Sequence, residues 1–271
     1  MRQPDEPPVE IDLSRPSAAR VYDYFLGGAH NFEIDRQLAE QISRMTPNLA
    51  DTMRAGRAFL RRAVRVLVDS GIDQFLDIGS GIPTVGNVHE VAQAVNPAAR
   101  VVYVDIDPVA VAHSREILAD NDRAVVLHGD LREPQRILDE AKATGLIDFG
   151  RPVGVLLAGV VHFIPDSDDP GGILATLRAA TAPGSYLVIS HSTYEDQPQE
   201  MLDAQRLSAR TATEITLRSR AEITGFFGDF TLLDPGVVHM PLWRPDAPSD
   251  VDDHPERFGA FGGVGRNDHR G

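Results

Sequence analysis

The chain has no cysteine among its 271 residues, which excludes disulfides, thiolate metal sites and a cysteine nucleophile. Lysine is nearly as scarce: Lys142 is the single example, and every other basic side chain is arginine. Chemistry through a lysine amine therefore has almost no place to occur. No apolar run approaches the length that spans a bilayer, and the proline-rich, acidic start Met1–Glu10 lacks the apolar stretch of a secretory leader. A cytoplasmic protein is the expectation. Positive charge is short as well. The net charge of −14 argues against nucleic acid as the habitual partner, because neutralising phosphates needs a basic face. Arg54, Arg57, Arg61, Arg62 and Arg65 do cluster on one expected helix, where they read as a solvated face with buried stems.

Among what is present, Phe75-Leu76-Asp77-Ile78-Gly79-Ser80-Gly81-Ile82-Pro83-Thr84 is the most informative stretch. An apolar strand runs into a glycine turn and then into a helical pattern, which lets a ligand approach the backbone. A dinucleotide fingerprint wants a third glycine at position 84, but Thr84 stands there. Asp77 precedes the first glycine by two places, and Asp-x-Gly-x-Gly resembles motif I of class I methyltransferases more than a nicotinamide site.

Downstream, Arg100–Pro108 reads as a second buried strand ending in the carboxylates Asp105 and Asp107. An acid at that position accepts hydrogen bonds from ribose hydroxyls, and Asp105 is chosen for the role. Asp107 is read as the N-cap of a helix opened by Pro108. A third strand, Ala124–His128, leads into Gly129-Asp130-Leu131, where an acid beside an apolar residue suits an adenine. Further strands are expected at Pro152–Gly159 and Ser185–His191. Helices are expected at about Thr84–Val95, Pro108–Asn121, Pro134–Thr144 and Gly171–Thr181. Polar-rich helices should cross Gln199–Phe227, followed by extended stretches near Pro235–Leu242 and Phe258–Arg266. This alternation implies a doubly wound, mostly parallel α/β sheet of seven strands, closed by an antiparallel hairpin.

The region before the sheet reads as three helices. Pro16 is expected in the first turn of one that stops at Gly27 or Gly28. Asn31 is expected to cap the second, and Thr46 with Pro47 to open a third that ends at Gly71. Phe25 and Leu26 read as a buried stripe. The expected organisation is an acidic, disordered tail over 1–13, a helical cap or lid over 14–71 and an α/β domain over 72–271.

The segments "ARVYDYFLGGAHNFEIDR", "FLDIGSGIPT", "VVYVDIDPVAVAHSR", "GDLREP" and "GGVGR" closely resemble an actinobacterial family of S-adenosylmethionine-dependent methyltransferases, long known as a domain of unknown function. The resemblance runs from Ser14 to Arg266. It implies S-adenosylmethionine as the cofactor. Asp77, Gly79, Ser80 and Gly81 would surround its methionyl and ribose parts, and Asp105 would take the ribose hydroxyls with Ile106 beside the adenine. Asp130 and Leu131 would contact the adenine, and Ala158 and Gly159 would offer backbone near the methionine amine. Tyr22, Tyr24 and Asn31 would close over the site as a lid. No metal is implied.

Methyl transfer needs positioning and desolvation, and a base only where the acceptor must lose a proton. His162 and His191 fall at the expected carboxyl ends of strands four and five, where open α/β sheets bind ligands, and are the candidate catalytic residues. A structural role for each is an equal alternative. Tyr194 and Glu195 are weaker candidates, while His89, His113 and His128 read as packing. The absence of an Asn/Asp-Pro-Pro-Tyr/Phe motif and of a Pro-Cys pair leaves a small-molecule acceptor, methylated at O or N, as the default. Two rivals remain: a non-catalytic S-adenosylmethionine-binding regulator or scaffold, and a nicotinamide oxidoreductase. The latter lacks both its third glycine and a Tyr-x-x-x-Lys pair.

Overall fold

The computed structural model describes residues 14–46, 48–82, 86–197 and 215–269. Expectations placed on the tail, on Pro47, on Pro83 and Thr84, and on 198–214 lie outside the described residues.

Five strands are parallel: β1 (Gln74–Ile78), β2 (Arg100–Asp105), β3 (Ala124–His128), β4 (Gly154–Ala158) and β5 (Tyr186–Ser192). Three more are antiparallel to the last of these or to one another: β6 (Thr231–Leu232), β7 (Val238–His239) and β8 (Ala260–Arg266). The order is β3-β2-β1-β4-β5-β8-β6, with β7 on the same edge of β8 as β6. The fold is the expected class I methyltransferase-like α/β arrangement. The expected count of seven becomes eight because the outer partner of β8 is broken into two short pieces. Of the stretch Pro235–Leu242 only Val238–His239 is strand, and Met240–Leu242 turns away. Pro235 and Pro241 have no N–H to give a ladder, which explains the break.

Side chains alternate between two cores. Leu76, Val102, Val155, Leu187 and Phe261 face α6 (Pro134–Ala143), α7 (Pro170–Ala179) and α8 (Arg220–Gly225). Phe75, Val101, Leu156 and Val188 face α3 (Leu49–Asp69), α4 (Val88–Val95) and α5 (Pro108–Ile117). Both faces are covered, so β1 and β4 are almost continuously buried. The glycines of β8 make room for rings: a Cβ at Gly262 would lie 2.9 Å from Phe59, and one at Gly265 2.7 Å from Phe227. That accounts for "GGVGR" physically. Strand order reverses between β1 and β4, and a cleft opens at their carboxyl ends.

Before the sheet, α1 (Ala18–Phe25) and α2 (Glu33–Met45) pack through Val21, Phe25 and Ala39, with Leu38, Ile42, Leu49 and Met53 beside them. Their caps differ from expectation. Ser17, not Pro16, borders α1; Phe32, not Asn31, borders α2; and Asn48, not Thr46, borders α3. Asp35 explains the second shift, since its carboxylate accepts the Phe32 N–H at 2.9 Å and the Arg20 Nε at 2.9 Å. That Arg20–Asp35 ion pair is buried, with side chains 4% and 0% exposed. Gly27 and Gly71 end α1 and α3 as expected, both with positive φ.

Among the described residues no helix is long and apolar enough to cross a membrane, and no cluster of candidate metal ligands occurs.

Candidate active site

The turn after β1 is built on two left-handed glycines, Gly79 (φ 74°) and Gly81 (φ 67°). A side chain at Gly79 would also collide with Val160, its Cβ lying 2.4 Å from Cγ2. A Cβ at Gly81 would meet nothing within 4 Å. Between them the buried Ser80 Oγ has no hydrogen-bond partner among the described residues. An orphaned hydroxyl in a glycine turn is a group waiting for a ligand.

The turn is tied to β2. Gly81 N–H donates to Asp105 Oδ2 at 2.6 Å, and Asp107 N–H donates to Asp105 Oδ1 at 2.8 Å. Asp107 in turn caps α5, accepting the Val109 N–H at 2.7 Å, as expected of it. Asp77 and Asp105 are both buried, at 4% and 6% exposure. Burial pushes Asp77 up to about 7, with Arg57 opposing and Asp105 adding to the rise. Burial likewise pushes Asp105 up to about 6, although the N–H groups of Asp107 and Gly81 hold it back. Two carboxylates short of positive charge are primed for a cationic partner.

Ile106 is half exposed beside Asp105, and Asp130 and Leu131 line the same cleft. Burial raises Asp130, but the 2.7 Å ion pair with Arg132 outweighs it and holds the carboxyl below its usual range. Ala158 and Gly159 line the cleft from the end of β4.

The N-terminal segment roofs the cleft only in part as expected. Residues 15–22 line it, and Ser17 Oγ donates to Asp107. Tyr22 reaches it and gives its hydroxyl to Met53 O at 3.3 Å; burial raises its pKa, with Arg57 nearby opposing. Tyr24 does not line the cavity, packing instead edge-on against Phe25. Asn31 is a brace, not a lid contact. Its Nδ2 donates to Asp23 Oδ2 and Gly28 O, and its Oδ1 accepts from Arg36. Adjacency in sequence misled here, because successive residues of a helix point to different sides.

At the ends of β4 and β5 the two histidines lie together, ring centroids 5.7 Å apart. They are not equivalent. His191 Nδ1 lies 2.7 Å from Ser192 O, and Nε2 lies 2.9 Å from Arg218 Nη1. Arginine only donates, so Nε2 must accept and Nδ1 must carry the proton. With its lone pair engaged, His191 cannot also take a proton from a substrate; its part here is structural. His162 keeps Nδ1 at 3.5 Å from Ser192 Oγ, and Nε2 has no hydrogen-bond partner among the described residues. Burial, then His191 and Arg218, push His162 down to about 3. Burial and Arg218 push His191 down to about 4 against the pull of Ser192 O. Both are neutral near pH 7.

Arg218 escaped the sequence reading, and Arg57 was read there only as one of a solvated arginine face. Arg218 is buried and binds Ile164 O at 2.9 Å and Asp166 Oδ1 at 2.6 Å besides His191, which locks the loop carrying His162. No sequence motif marks it. Arg57 lines the cleft beside Asp77, unlike its neighbours: Arg54, Arg61 and Arg65 are exposed and pair with Asp51 or Asp246, and Arg62 is buried on Trp243 O and Met240 O. Helical phase was the signal available, since Arg57 lies between Met53 and Leu60. Of the histidines read as packing, His89 is buried against the Tyr103 hydroxyl at 2.8 Å. His128 is exposed and bonds Ile106 O, and His113 packs against the tilted ring of His30. Tyr194 lines the cavity, whereas Glu195 accepts the Arg220 N–H.

The glycine turn, Asp77, Asp105, Asp130, Tyr22, Arg57 and both His162 and His191 line one cavity of about 1230 Å³. Comparison with known proteins agrees with the fold. A family model described as S-adenosyl methyltransferase matches residues 4–268. A structure from Thermobifida fusca, described as a candidate methyltransferase, is 42% identical with a TM-score of 0.90, covering 97% of this chain and 99% of its own. A DUF574 family protein from Streptomyces avermitilis is 39% identical with a TM-score of 0.90, covering 95% and 100%. An O-methyltransferase family protein from Burkholderia thailandensis shares the fold alone, at 13% identity and a TM-score of 0.51 over 94% of this chain and 65% of its own. No curated protein matches. With the glycine turn, the buried acids and the sheet order already in place, the match across nearly the whole length is decisive: the chain belongs to the S-adenosyl methyltransferase family.

Proposed function

We propose that the protein transfers a methyl group from S-adenosylmethionine to an oxygen or nitrogen of a small molecule. The observation that carries this is His162: a neutral histidine with an unengaged nitrogen, facing the same cavity as the glycine turn and held by Arg218 through its loop.

The residues present fit the cofactor. Ser80 Oγ and the open space at Gly81 leave room and a hydrogen-bonding group at the turn. Asp105 would hold the ribose hydroxyls, since a carboxylate has lone pairs beyond the two that Gly81 and Asp107 use. Asp77 and Asp105 suit a group that brings positive charge. Asp130, Leu131 and Ile106 would border the adenine, and Ala158 and Gly159 the methionine end. S-adenosylmethionine supplies an activated methyl group on a sulfonium. The chain then has three tasks: to orient the acceptor, to exclude water beneath α1, and to receive the acceptor's proton at His162 Nε2. A weakly basic histidine suffices for a hydroxyl, because its proton becomes strongly acidic as the oxygen is alkylated.

A small acceptor fits better than nucleic acid. The net charge is −14, and three arginines of α3 are already paired with carboxylates. A cytoplasmic location accords with the intracellular supply of the cofactor. The oxidoreductase reading is dropped, and nothing specific favours a non-catalytic role.

The test is formation of S-adenosylhomocysteine from S-adenosylmethionine with a panel of hydroxyl and amine acceptors, followed by mass spectrometry of the product. Turnover that His162→Ala abolishes supports the reading. Tight cofactor binding with no turnover on any acceptor class would instead support a binding protein.

A further inference from the structure

The cavity exceeds the usual size of a single small-ligand site, and its lining divides into two chemistries. Roughly 300–1,000 Å³ is usual for one drug-sized ligand, against about 1230 Å³ here. The end at β1, β2 and β3 is lined by glycine backbone and by Asp77, Asp105, Asp107 and Asp130. Another part of the lining belongs to α2 and α3. Leu49, Met53, Gly56 and Leu60 all line it, at the three- and four-residue steps of one helical stripe. From the first to the last that stripe runs about 16 Å along α3. Leu38 and Ile42 of α2 continue the wall. Leu38, Ile42, Leu49 and Met53 are only half-buried although they sit in the middle of the helical cap. Packed on one side against Val21, Phe25 and Ala39, these side chains still present apolar surface to the cavity, as a wall for an apolar ligand does.

We propose that the acceptor is an elongated, mostly apolar molecule with a hydroxyl at its reacting end, that hydroxyl at His162 and its apolar body along the α2–α3 wall. The proposal rests on the methyltransferase reading above and names its substrate class. In the transfer, an O–CH3 bond forms as the donor's S–CH3 bond breaks. The pair of that bond stays on sulfur, and the hydroxyl proton passes to His162 Nε2. An amine is the poorer match. An alkylammonium would have to lose a proton before it can attack, and burial leaves His162 too weak a base to take it. The wall sets specificity through desolvation: each methylene laid against it leaves water, so affinity should climb with chain length until the stripe is covered.

The experiment uses the full chain in two stages. Calorimetry first measures S-adenosylhomocysteine binding. With that ligand saturating, phenol and para-nonylphenol are then titrated as short and long hydroxyl probes. The long probe should bind more than about ten-fold tighter than phenol. Ile42→Asp should cost the long probe about ten-fold or more, and S-adenosylhomocysteine affinity should stay within about two-fold because none of the residues assigned to the cofactor belongs to α2. If Ile42→Asp does not fold, Leu38→Ser carries the same expectation. Equal binding of the two phenols, or a long probe indifferent to these substitutions, overturns the apolar acceptor while leaving the methyltransferase reading intact. Failure of S-adenosylhomocysteine to bind at the first stage overturns both.

Discussion

Gly81 donates its backbone N–H to the Asp105 carboxylate at 2.6 Å, so the residue chosen for the ribose is also the clasp between the β1 turn and β2. One side chain therefore supports both the ligand site and the loop that shapes it. Replacing Asp105 with Ala should weaken S-adenosylhomocysteine binding by roughly 2–3 kcal/mol through lost charge-assisted hydrogen bonds. The structure predicts a further loss of stability of about 1–3 kcal/mol, since the N–H groups of Gly81 and Asp107 lose their partner. Calorimetry and chemical denaturation measure the two effects separately. An unchanged dissociation constant would move the ribose role to another residue.

The buried acids set a pH dependence. Asp77 and Asp105 have folded values of about 7 and about 6, above the ordinary 3.8. The fold thus holds protons that the unfolded chain releases, and the stability these groups contribute is complete below about pH 4. It is lost as the pH rises through about 6 and about 7. His162 and His191 act in the other direction, with folded values of about 3 and about 4 below the ordinary 6.5. Their contribution is present above pH 6.5 and is lost as the pH falls toward those values. Because the two sets partly cancel, the clean measurement is a difference. The stability of the wild type minus that of Asp77→Asn should fall as the pH rises from about 4 to about 7. A difference that stays flat over this range refutes the buried-acid account.

Ligand binding should show the same groups from the other side. Ionised carboxylates favour a cationic cofactor, so S-adenosylmethionine affinity should rise through pH about 6 to about 7 and binding should release protons. Titration in buffers of different ionisation enthalpy counts them. Arg57→Met removes the charge that opposes the rise of Asp77 and should move this limb to higher pH. Neither histidine should contribute to the limb, so His162→Gln should lower turnover without moving it.

Unequal wiring of the two histidines gives unequal mutants. His162→Ala should reduce kcat by about 10²–10⁴-fold if it receives the proton, with cofactor affinity and stability little altered. Arg218→Met should cost about 1.5–3 kcal/mol for the hydrogen bonds made by a buried charge, and it should lower kcat because the His162 loop is no longer held. Thermal melts beside steady-state kinetics distinguish these patterns. Equal losses of stability in both variants would contradict the assignment.

At the N-terminus, Asp35→Ala leaves Arg20 buried without its partner and should destabilise the α1–α2 unit by about 3–5 kcal/mol. The sheet shares few groups with that ion pair, so the expected readout is local. Limited proteolysis should cut the N-terminal region faster, and cofactor retention should fall more than global stability does. Protection of residues before α3 equal to wild type would argue against the roof.

Much of this molecule was legible in one dimension. Strands β1 to β5 announce themselves because a sheet covered on both faces needs runs of apolar residues, and Gly79 and Gly81 because the chain there takes positive φ. Asp107 as a cap and Gly27 and Gly71 as stops are likewise local matters of backbone hydrogen bonding. The split of the outer strand into β6 and β7 was not legible, since two-residue strands carry no alternation. Nor was most of the sorting of equals, the helical phase of Arg57 aside. Tyr22 enters the cavity and Tyr24 does not; Arg57 faces Asp77 while Arg61 meets solvent; His162 keeps a free nitrogen while His191 gives both of its own away. Local sequence determined which residue types stand at the ends of the strands and near the turn, because caps, turns and periodicity act over a few residues. Only the tertiary structure decided which of them share a cavity, because burial, charge pairing and hydrogen-bond partners come from segments as distant as Arg62 and Trp243.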